Sequence, residues 1–289
     1  MPTVSRQAAP RPRPRAVPVT QSTDNEATGV LSRIKPIECP DRGIRMAIYG
    51  RSGTGKTTLA CDFPKPLLYI RPPDDDGRRS VHKIQGIMDV DLLQPEEFRE
   101  LTAHVRESGK YQTTVLDSVS TLQDLALKRV LKKDELPAQM GWGVASQQQW
   151  GEVGAMVKDL LREMLSLEGN VVIVAQERVF DGEGSSDILT PHVGVAVSPS
   201  IAGWIGPSVE YLVQTFLRQG VRKVKRKVAG LNAVTEVDEE CIEFCLRTGP
   251  HPVYNTKFRV PRHLRDKLPD VLVDPTYAKI AALVEGTAA

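Results

Sequence analysis

Residues 47–58 have the sequence Ala47-Ile48-Tyr49-Gly50-Arg51-Ser52-Gly53-Thr54-Gly55-Lys56-Thr57-Thr58. This stretch fits the phosphate-binding pattern G-x-x-x-x-G-K-[ST]. Met46–Tyr49 predict a buried strand before the glycines, and Thr57–Cys61 open a helix after them, so the context agrees with the pattern. The three glycines allow a tight turn whose backbone N–H groups point inward. We therefore expect a phosphate-binding loop between a strand and a helix, rather than a chance glycine-rich turn.

The residue types in this loop predict a nucleoside triphosphate as the ligand. Lys56 would neutralise the β- and γ-phosphates, and Thr57 is placed to offer its hydroxyl to Mg²⁺. Thr58 carries the next hydroxyl and is a candidate phosphate contact. The predicted nucleotide-binding residues are Gly50, Arg51, Ser52, Gly53, Thr54, Gly55, Lys56, Thr57 and Thr58.

The composition predicts a soluble, folded protein. The chain has 289 residues, of which 40% are hydrophobic, enough for one large domain or two small ones. The formal net charge is +2, so any affinity for nucleic acid must come from a local patch. The four cysteines lack zinc-ligand spacing and are typical of reduced thiols in a cytoplasmic protein. Neither a membrane-spanning apolar run nor a secretory leader is recognisable, so no membrane partner is expected.

The first 40 residues differ from the rest of the chain. They contain seven prolines and the basic run Arg11-Pro12-Arg13-Pro14-Arg15, with few large apolar residues. This composition predicts a disordered basic tail over residues 1–40, either a solvated leader or a contact for nucleic acid. Residues 41–289 are expected to form one domain, with a β-rich part at about 209–262 and a C-terminal helix at 274–285.

Strand and helix patterns alternate after the loop. Apolar runs that predict further strands occur at 66–70, 113–117 and 170–175. The last run is unbroken, which is typical of a parallel strand covered on both faces, and helical spacing at about 148–167 predicts a long helix. These patterns predict an α/β fold with a mostly parallel sheet and helices on both faces. The β-rich part adds a hairpin or meander, with turns expected at Gly220 and Gly230.

Asp117 is the best candidate for a second Mg²⁺ ligand, because it ends an apolar strand that follows the loop in chain order. The alternative is an aspartate that caps the helix beginning near Ser118. The sequence contains no N-K-x-D motif for guanine and no switch glycine after Asp117, so it does not match a GTPase. Asp117 is also not followed by Glu, unlike the equivalent residue of most AAA+ and ABC-type ATPases.

Five segments of the chain share a family pattern. They are Gly50–Thr57, Thr113–Ser118, Val171–Ala175 with Gln176-Glu177-Arg178 after it, Arg247–Tyr254 and Lys257–Arg262. Together they resemble the RecA-like core ATPases of bacteriophages, small relatives implicated in single-strand annealing and recombination. The resemblance covers about residues 44–285 and implies a RecA-like fold and ATP as the nucleotide. It also implies action on single-stranded DNA in phage recombination, annealing or replication, in the host cytoplasm.

The resemblance implies catalytic roles for further residues. Gln176, at a strand end facing the nucleotide, would sense the γ-phosphate, whereas the alternative is a surface glutamine that closes the strand. RecA-like proteins place a catalytic Glu beyond the second strand, where this chain has Arg71–Asp76. Asp74 is the candidate to orient the attacking water, and its shorter side chain predicts slow hydrolysis. The predicted catalytic residues are Lys56, Asp117, Gln176 and Asp74.

Two segments are candidates for contact with DNA. The resemblance implies the loop at about Phe180–Pro207, which has little periodicity and few basic residues. The stronger electrostatic feature is the basic run at 222–227, whose cations would follow a phosphate backbone. A charged edge strand that prevents aggregation would have the same pattern. The predicted DNA-binding residues are Arg222, Lys223, Lys225, Arg226 and Lys227.

The sequence therefore predicts an ATP- and Mg²⁺-binding ATPase that acts on single-stranded DNA. A homo-oligomer, as a ring or filament, is a candidate assembly, in which Lys257 and Arg259 would reach the γ-phosphate of a neighbour. Phage single-strand-binding or replication proteins are candidate partners. The main alternative is a nucleotide-gated interaction protein, such as a loader, that binds ATP but not DNA. A small-molecule kinase is disfavoured because no arginine-rich lid lies between the strands of Asp117 and Val171.

Overall fold

The structure, a computed structural model, describes residues 33–36, 42–73, 77–133, 145–180, 192–227 and 234–287, with the backbone alone at 225–227 and 234–237. Residues from Arg42 onward belong to one structural unit. The tail predicted at 1–40 lies outside the described residues except for 33–36. Within the described ranges, no helix is long and apolar enough to cross a membrane.

Ten strands and seven helices make up the described part of the chain. The strands are β1 (Arg45–Gly50), β2 (Leu67–Arg71), β3 (Ile87–Asp91), β4 (Thr113–Asp117), β5 (Asn170–Phe180), β6 (His192–Val195), β7 (Tyr211–Lys227), β8 (Val234–Arg247), β9 (Lys257–Phe258) and β10 (Val271–Val273). The helices are α1 (Lys56–Ala60), α2 (Arg78–Val81), α3 (Glu97–Ser108), α4 (Val119–Leu131), α5 (Gln147–Leu165), α6 (Pro199–Ser208) and α7 (Tyr277–Glu285), and a 3₁₀ helix covers Arg262–Lys267.

The strands form a sheet in the order β10-β8-β7-β1-β5-β4-β2-β3, with β6 beside β5 and β9 beside β7. All pairings from β7 across to β3 are parallel, whereas β8 and β10 add antiparallel strands at the other edge. The predicted α/β fold with a mostly parallel sheet is therefore confirmed. Because β5 lies between β1 and β4, the carboxyl ends of these strands bring Gly50, Gln176 and Asp117 to one edge of the sheet.

Two apolar layers cover the sheet, and successive residues of each central strand alternate between them. In β1, Ala47 and Tyr49 face the layer built with α3, α4, α5 and α6, whereas Met46 and Ile48 face α1 and α7. Every residue of β1, β2 and β4 is buried. This double covering explains why the strands have continuous apolar sequences without polar alternation. Tyr69, Asp117 and Gln176 all project toward the α1 side, by the same alternation.

The β-rich part differs from its prediction at Gly220. A turn was expected there, but β7 continues through Gly220 and pairs with β8 in one long hairpin from Gln214↔Arg247 to Lys227↔Val234. A side chain at position 220 would collide with the carboxyl group of Glu243, which lies over the glycine. Gly220 therefore makes room for a cross-strand neighbour, and the turn prediction is wrong. The second expected turn, at Gly230, lies outside the described residues.

Two further predictions are corrected in the C-terminal half. The segment 192–208, expected as a loop without periodicity, contains β6 and α6, because Val193, Val195, Ile201 and Ile205 pack into the large apolar layer. The C-terminal helix begins at Tyr277, and its cap is Thr276, whose hydroxyl accepts a hydrogen bond from the N–H of Lys279 at 3.3 Å. The helix ends at Gly286, whose left-handed φ of +72° is typical of a glycine C-cap.

Candidate nucleotide-binding site

The loop between β1 and α1 has the conformation that its glycines predict. Gly53 and Gly55 have φ values of +80° and +85°, in the left-handed region that favours glycine. Gly50 has an ordinary φ, but a Cβ at this position would collide with the carbonyl and hydroxyl oxygens of Thr215 on β7. The loop therefore depends on glycine for its turn and for its close approach to the neighbouring strand.

The loop borders a cleft of about 450 Å³ at the carboxyl edge of the sheet. The cleft is lined by Ser52, Gly53, Gly55, Lys56, Thr57, Thr58, Gly77, Ser80, Asp117, Gln176 and Phe244. Three predicted nucleotide-binding residues, Gly50, Arg51 and Thr54, do not line it. The Arg51 side chain is 82% exposed and pairs with Glu177 at 2.8 Å. The Thr54 hydroxyl faces Thr215 at 2.7 Å, so it ties the loop to β7.

Lys56 is the one cation among the described residues that line the cleft. Its side chain is buried, and the ammonium donates to the carbonyl oxygen of Arg51 at 2.8 Å and to Oε1 of Gln176 at 3.3 Å. The charge of this ammonium also acts on the carboxyl group of Asp117, and a phosphate in the cleft would give it a further anion to bind. The geometry brings together Lys56 and Gln176, as the sequence reasoning expects.

Thr57, Tyr69 and Asp117 meet at one carboxylate oxygen. The Thr57 hydroxyl donates to Oδ2 of Asp117 at 2.6 Å, and the Tyr69 hydroxyl donates to the same oxygen at 2.9 Å. A threonine hydroxyl and a carboxylate are the oxygen donors that Mg²⁺ uses, with water and phosphate completing its coordination. These residues therefore fit a Mg²⁺ ion held beside the triphosphate, which is the role that the sequence predicts for Thr57 and Asp117.

The electrostatics of Asp117 follow from its burial. Burial raises the pKa of this carboxyl above its ordinary value, against the hydrogen bonds from Thr57 and Tyr69 and the charge of Lys56, which lower it. The alternative role of Asp117, a helix cap, is filled by its neighbour. The Ser118 hydroxyl accepts a hydrogen bond from the N–H of Thr121, and the two residues form a capping box at the start of α4. The Asp117 carboxylate is thus left to face the cleft.

Tyr69 is a site residue that sequence reasoning missed, and its hydroxyl gives a prediction. In a Tyr69→Phe variant, Asp117 loses one of the hydrogen bonds that lower its pKa, so the pKa rises further. The carboxylate then becomes charged only at higher pH, and the pH midpoint for Mg²⁺-dependent ATP binding should move upward. Fluorescence titrations across a pH series measure this shift. The control is Tyr111→Phe, which removes a hydroxyl outside the cleft, and equal midpoints in the two variants would contradict the role.

Gln176 lies between the loop and the strand of Asp117. Besides its contact with Lys56, its backbone N–H donates to the hydroxyl of Ser120 at 3.3 Å, and its carbonyl accepts from the N–H of Ala196 at 2.8 Å. The side chain therefore faces the cleft, while the backbone is tied to α4 and to the segment after β6. This placement suits a group that transmits the state of the nucleotide. The other predicted catalytic residue, Asp74, lies outside the described residues.

A second cleft, of about 380 Å³, adjoins the first and shares Gly55, Thr58 and Phe244 with it. Its lining is mostly apolar and includes Leu59 and Pro275. The ring of Phe244 lies 3.3 Å from the Cβ position of Gly55. An aromatic ring beside a phosphate cleft offers a stacking surface for a nucleobase. Phe244 has no signature in the sequence, because a phenylalanine in a strand is usually a core residue.

The predicted DNA-binding cations lie on β7, opposite the acidic strand β8. In the hairpin, Arg222 pairs with Glu239, Lys223 with Asp238 and Lys225 with Glu236. Arg226 and Lys227 pair with Thr235 and Val234. Between Tyr211 and Arg247 the hairpin carries seven basic and five acidic residues. The run that looked strongly basic along one strand is therefore largely balanced across the hairpin.

Lys257 and Arg259, the candidates to reach the γ-phosphate of a neighbouring subunit, lie away from the cleft of their own chain. Lys257 is on β9 opposite Leu212, near the amino end of β1, and its ammonium donates to the carbonyl oxygen of Gly206. Arg259 follows it, and its N–H donates to the carbonyl oxygen of Glu210 at 3.3 Å. Within one chain these residues do not approach the phosphate loop. Of the predicted loop Phe180–Pro207, residues 181–191 lie outside the described part of the chain.

Comparison with known proteins agrees with this geometry. The family model of the AAA domain matches residues 42–259, three quarters of the chain and all of the strands from β1 to β9. A search among curated proteins found no significant match. This chain matches the family model although Ser118, and not a Glu, follows Asp117 at the end of its strand. Because the match covers more than half of its length, this chain belongs to the AAA-domain family of P-loop ATPases.

Proposed function

We propose that this protein binds ATP with Mg²⁺, hydrolyses it, and couples the nucleotide to single-stranded DNA in phage recombination, annealing or replication. The observation that carries the proposal is the convergence of Lys56, Thr57, Asp117 and Gln176 on one cleft beside the phosphate loop. An ammonium, a hydroxyl, a carboxylate and an amide are the groups that phosphoryl transfer needs at the terminal phosphates.

Each side chain has a separate role in this proposal. Lys56 binds and neutralises the β- and γ-phosphates, and the loop amides hold the chain of phosphates in place. Thr57 and Asp117 hold the Mg²⁺, which when bound neutralises the charge that develops on the phosphates. Gln176 exchanges its contact with Lys56 for one with the γ-phosphate, and its backbone passes the change to α4. Tyr69 keeps the carboxylate of Asp117 oriented toward the hydroxyl of Thr57.

The attacking water needs a group to orient it. Among the described residues, Asp117 is the one carboxylate that lines the cleft, and it is engaged by Thr57 and Tyr69. Asp74 remains our candidate for the water, on the sequence argument alone. A short aspartate in this role supports slow basal hydrolysis.

Phe244 would stack on the base of the nucleotide, since its ring joins the phosphate cleft to the apolar cleft. A Phe244→Ala variant should bind ATP about tenfold more weakly, because stacking of a base on an aromatic ring contributes about 1–3 kcal/mol. Its affinity for inorganic tripolyphosphate, which has no base, should not change. The matched control is Phe216→Ala on the neighbouring strand, whose ring stacks on Arg247 at 4.6 Å. Equal losses for ATP and tripolyphosphate would contradict a base contact.

The DNA part of the proposal is supported by the resemblance to phage RecA-like ATPases and, in the basic run of β7, by Arg226 and Lys227, which lie opposite uncharged residues of β8. It is tested by measuring the ATPase rate with and without single-stranded DNA. The expected result is stimulation by the strand, because the nucleotide and the DNA are coupled. An unchanged rate together with no salt-dependent binding of labelled strands to filters would overturn it.

One observation favours the second candidate function, a nucleotide-gated interaction protein that does not bind DNA. Leu217, Val221, Ile242 and Phe244 lie on one face of the β7–β8 hairpin and are 43–63% exposed. An exposed apolar face that begins at the nucleotide cleft is typical of a protein–protein contact. The filter-binding series decides between the two candidates, because a loader of this kind would show no affinity for the strand.

A further inference from the structure

Two consecutive residues of β5 contact the phosphate loop from its two sides. Gln176 and Glu177 are neighbours in an extended strand, so their side chains point to opposite faces of the sheet. Gln176 contacts the Lys56 ammonium in the nucleotide cleft at 3.3 Å. Glu177 lines another cleft, of about 350 Å³, where its Oε1 accepts a hydrogen bond from Nε of Arg51 at 2.8 Å. The loop is therefore held by Gln176 on the inside and by Glu177 on the outside.

A row of hydrogen bonds continues from Glu177 across the neighbouring strands. Nε2 of Gln214, on β7, donates to Oε2 of Glu177 at 3.1 Å. The Oε1 of the same amide accepts a hydrogen bond from Nε of Arg247, on β8, at 3.1 Å. The Cζ of Arg247 lies 4.6 Å from the ring centroids of both Phe216 and Tyr254, and these rings restrain the guanidinium. The row thus joins the phosphate loop to strands that are distant in the sequence.

The direction of these hydrogen bonds determines which residue type position 177 needs. Arginine side chains only donate, so Arg247 requires the oxygen of the Gln214 amide. The amino group of that amide is then directed at Glu177, and Arg51 directs a second donor at the same carboxylate. A carboxylate accepts at both of its oxygens, whereas an amide accepts at one only. The row is therefore complete with Glu at position 177 and would be broken by Gln.

The contact between Glu177 and Arg51 acts on the position of Lys56. The Glu177 side chain is 14% exposed and that of Arg51 is 82% exposed, so the ion pair itself contributes little to the stability of the fold. The carbonyl oxygen of Arg51, however, accepts a hydrogen bond from the Lys56 ammonium at 2.8 Å. A side chain that restrains Arg51 therefore also restrains the acceptor that orients this ammonium.

We propose that Glu177 is a positioning residue for ATP turnover, which acts through Arg51 on the alignment of Lys56 and the phosphate loop. The inference rests on the proposed function, since it concerns the hydrolysis of ATP at the same site. Among the described residues that line the nucleotide cleft, Gln176 is present and Glu177 is not, so Glu177 does not touch the nucleotide. Its contribution is to keep the loop in the geometry that the transferred phosphate needs, because a small misplacement of catalytic groups lowers the rate.

The test exchanges the acid and the amide within the row, in the full-length protein. Glu177→Gln should lower kcat about tenfold and leave the KM for ATP within about threefold, because the phosphates still bind but are less well aligned. Gln214→Glu alone should also lower kcat, because it places two carboxylates side by side. The double variant keeps the net charge and restores each pair of donor and acceptor, so its kcat should return to within about threefold of the wild type.

The matched control is Glu243→Gln, which breaks the ion pair with Arg218 at 2.7 Å and lines neither cleft. It should turn over ATP as the wild type does, and thermal unfolding checks the fold of every variant. Equal kcat values for Glu177→Gln and Glu243→Gln would overturn the inference, as would a double variant no faster than Glu177→Gln. Either result with an active wild type refutes the role of Glu177 alone, whereas a wild type that does not hydrolyse ATP refutes the proposed function.

Discussion

Replacement of Lys56 by alanine is expected to weaken ATP binding by about 100-fold and to abolish measurable hydrolysis. Lys56 is the one cation among the described residues of the phosphate cleft, and its side chain is buried. Loss of a desolvated charge that pairs with a ligand costs about 2–5 kcal/mol, and each 1.4 kcal/mol is tenfold in affinity. Titration with a fluorescent ATP analogue and phosphate release measure the two effects.

The control for this substitution is Lys110→Ala, which removes an exposed lysine that does not line the cleft. It should bind ATP as the wild type does. The fold of both variants is compared by circular dichroism, because Lys56 also contacts the carbonyl oxygen of Arg51. An ATP affinity for Lys56→Ala within threefold of the control would show that the phosphates bind elsewhere.

Replacement of Asp117 by asparagine should lower the turnover number by about 100-fold or more, the usual cost of removing one group that stabilises developing charge. The amide keeps an oxygen for the hydroxyls of Thr57 and Tyr69, so the local packing is preserved, but its lack of charge weakens the hold on Mg²⁺. Turnover is measured over a Mg²⁺ series. An Asp159→Asn variant at an exposed ion pair is the control, and equal turnover in both variants would remove Asp117 from the site.

In the absence of nucleotide, the Asp117→Asn substitution that lowers turnover should stabilise the fold relative to the wild type as pH rises. Burial raises the pKa of Asp117, so the folded protein holds this proton to higher pH than the unfolded chain does. The free energy of unfolding that this group contributes is therefore present below the ordinary aspartate pKa and is lost as pH rises through the raised value. The asparagine of the Asp117→Asn variant does not titrate, so the variant should not show this pH-dependent loss of free energy of unfolding. Thermal unfolding at several pH values should show the wild type falling relative to the variant as pH rises.

The phosphate loop was predictable because its conformation is local. Residues 50–57 contain the glycines for the turn, the lysine and the threonine in one continuous stretch, and the flanking strand and helix have clear apolar patterns. The position of Asp117 at the edge of the sheet was predictable for a related reason, since it ends a strand that follows the loop in chain order. The phosphate loop and Asp117 lie at the same edge of the sheet because the carboxyl ends of parallel strands meet at one edge.

What the sequence did not predict depends on contacts between distant segments. Tyr69 and Phe244 are aromatic residues within strands, and their roles follow from register and from the neighbouring strand or loop. The balance of charge in the hairpin is also non-local, because β7 is basic and its acidic partners come from β8. Gly220 shows the same limit, since the strand β8 that pairs with it and the Glu243 side chain that lies over it are distant in the sequence.

The most direct test of the central claim is calorimetric titration of the full-length protein with ATP in the presence of Mg²⁺. The geometry of Lys56, Thr57 and Asp117 at a single cleft predicts saturable heat with one ATP bound per chain and much weaker binding when Mg²⁺ is chelated. Folded protein that takes up no ATP, with or without Mg²⁺, would contradict the account.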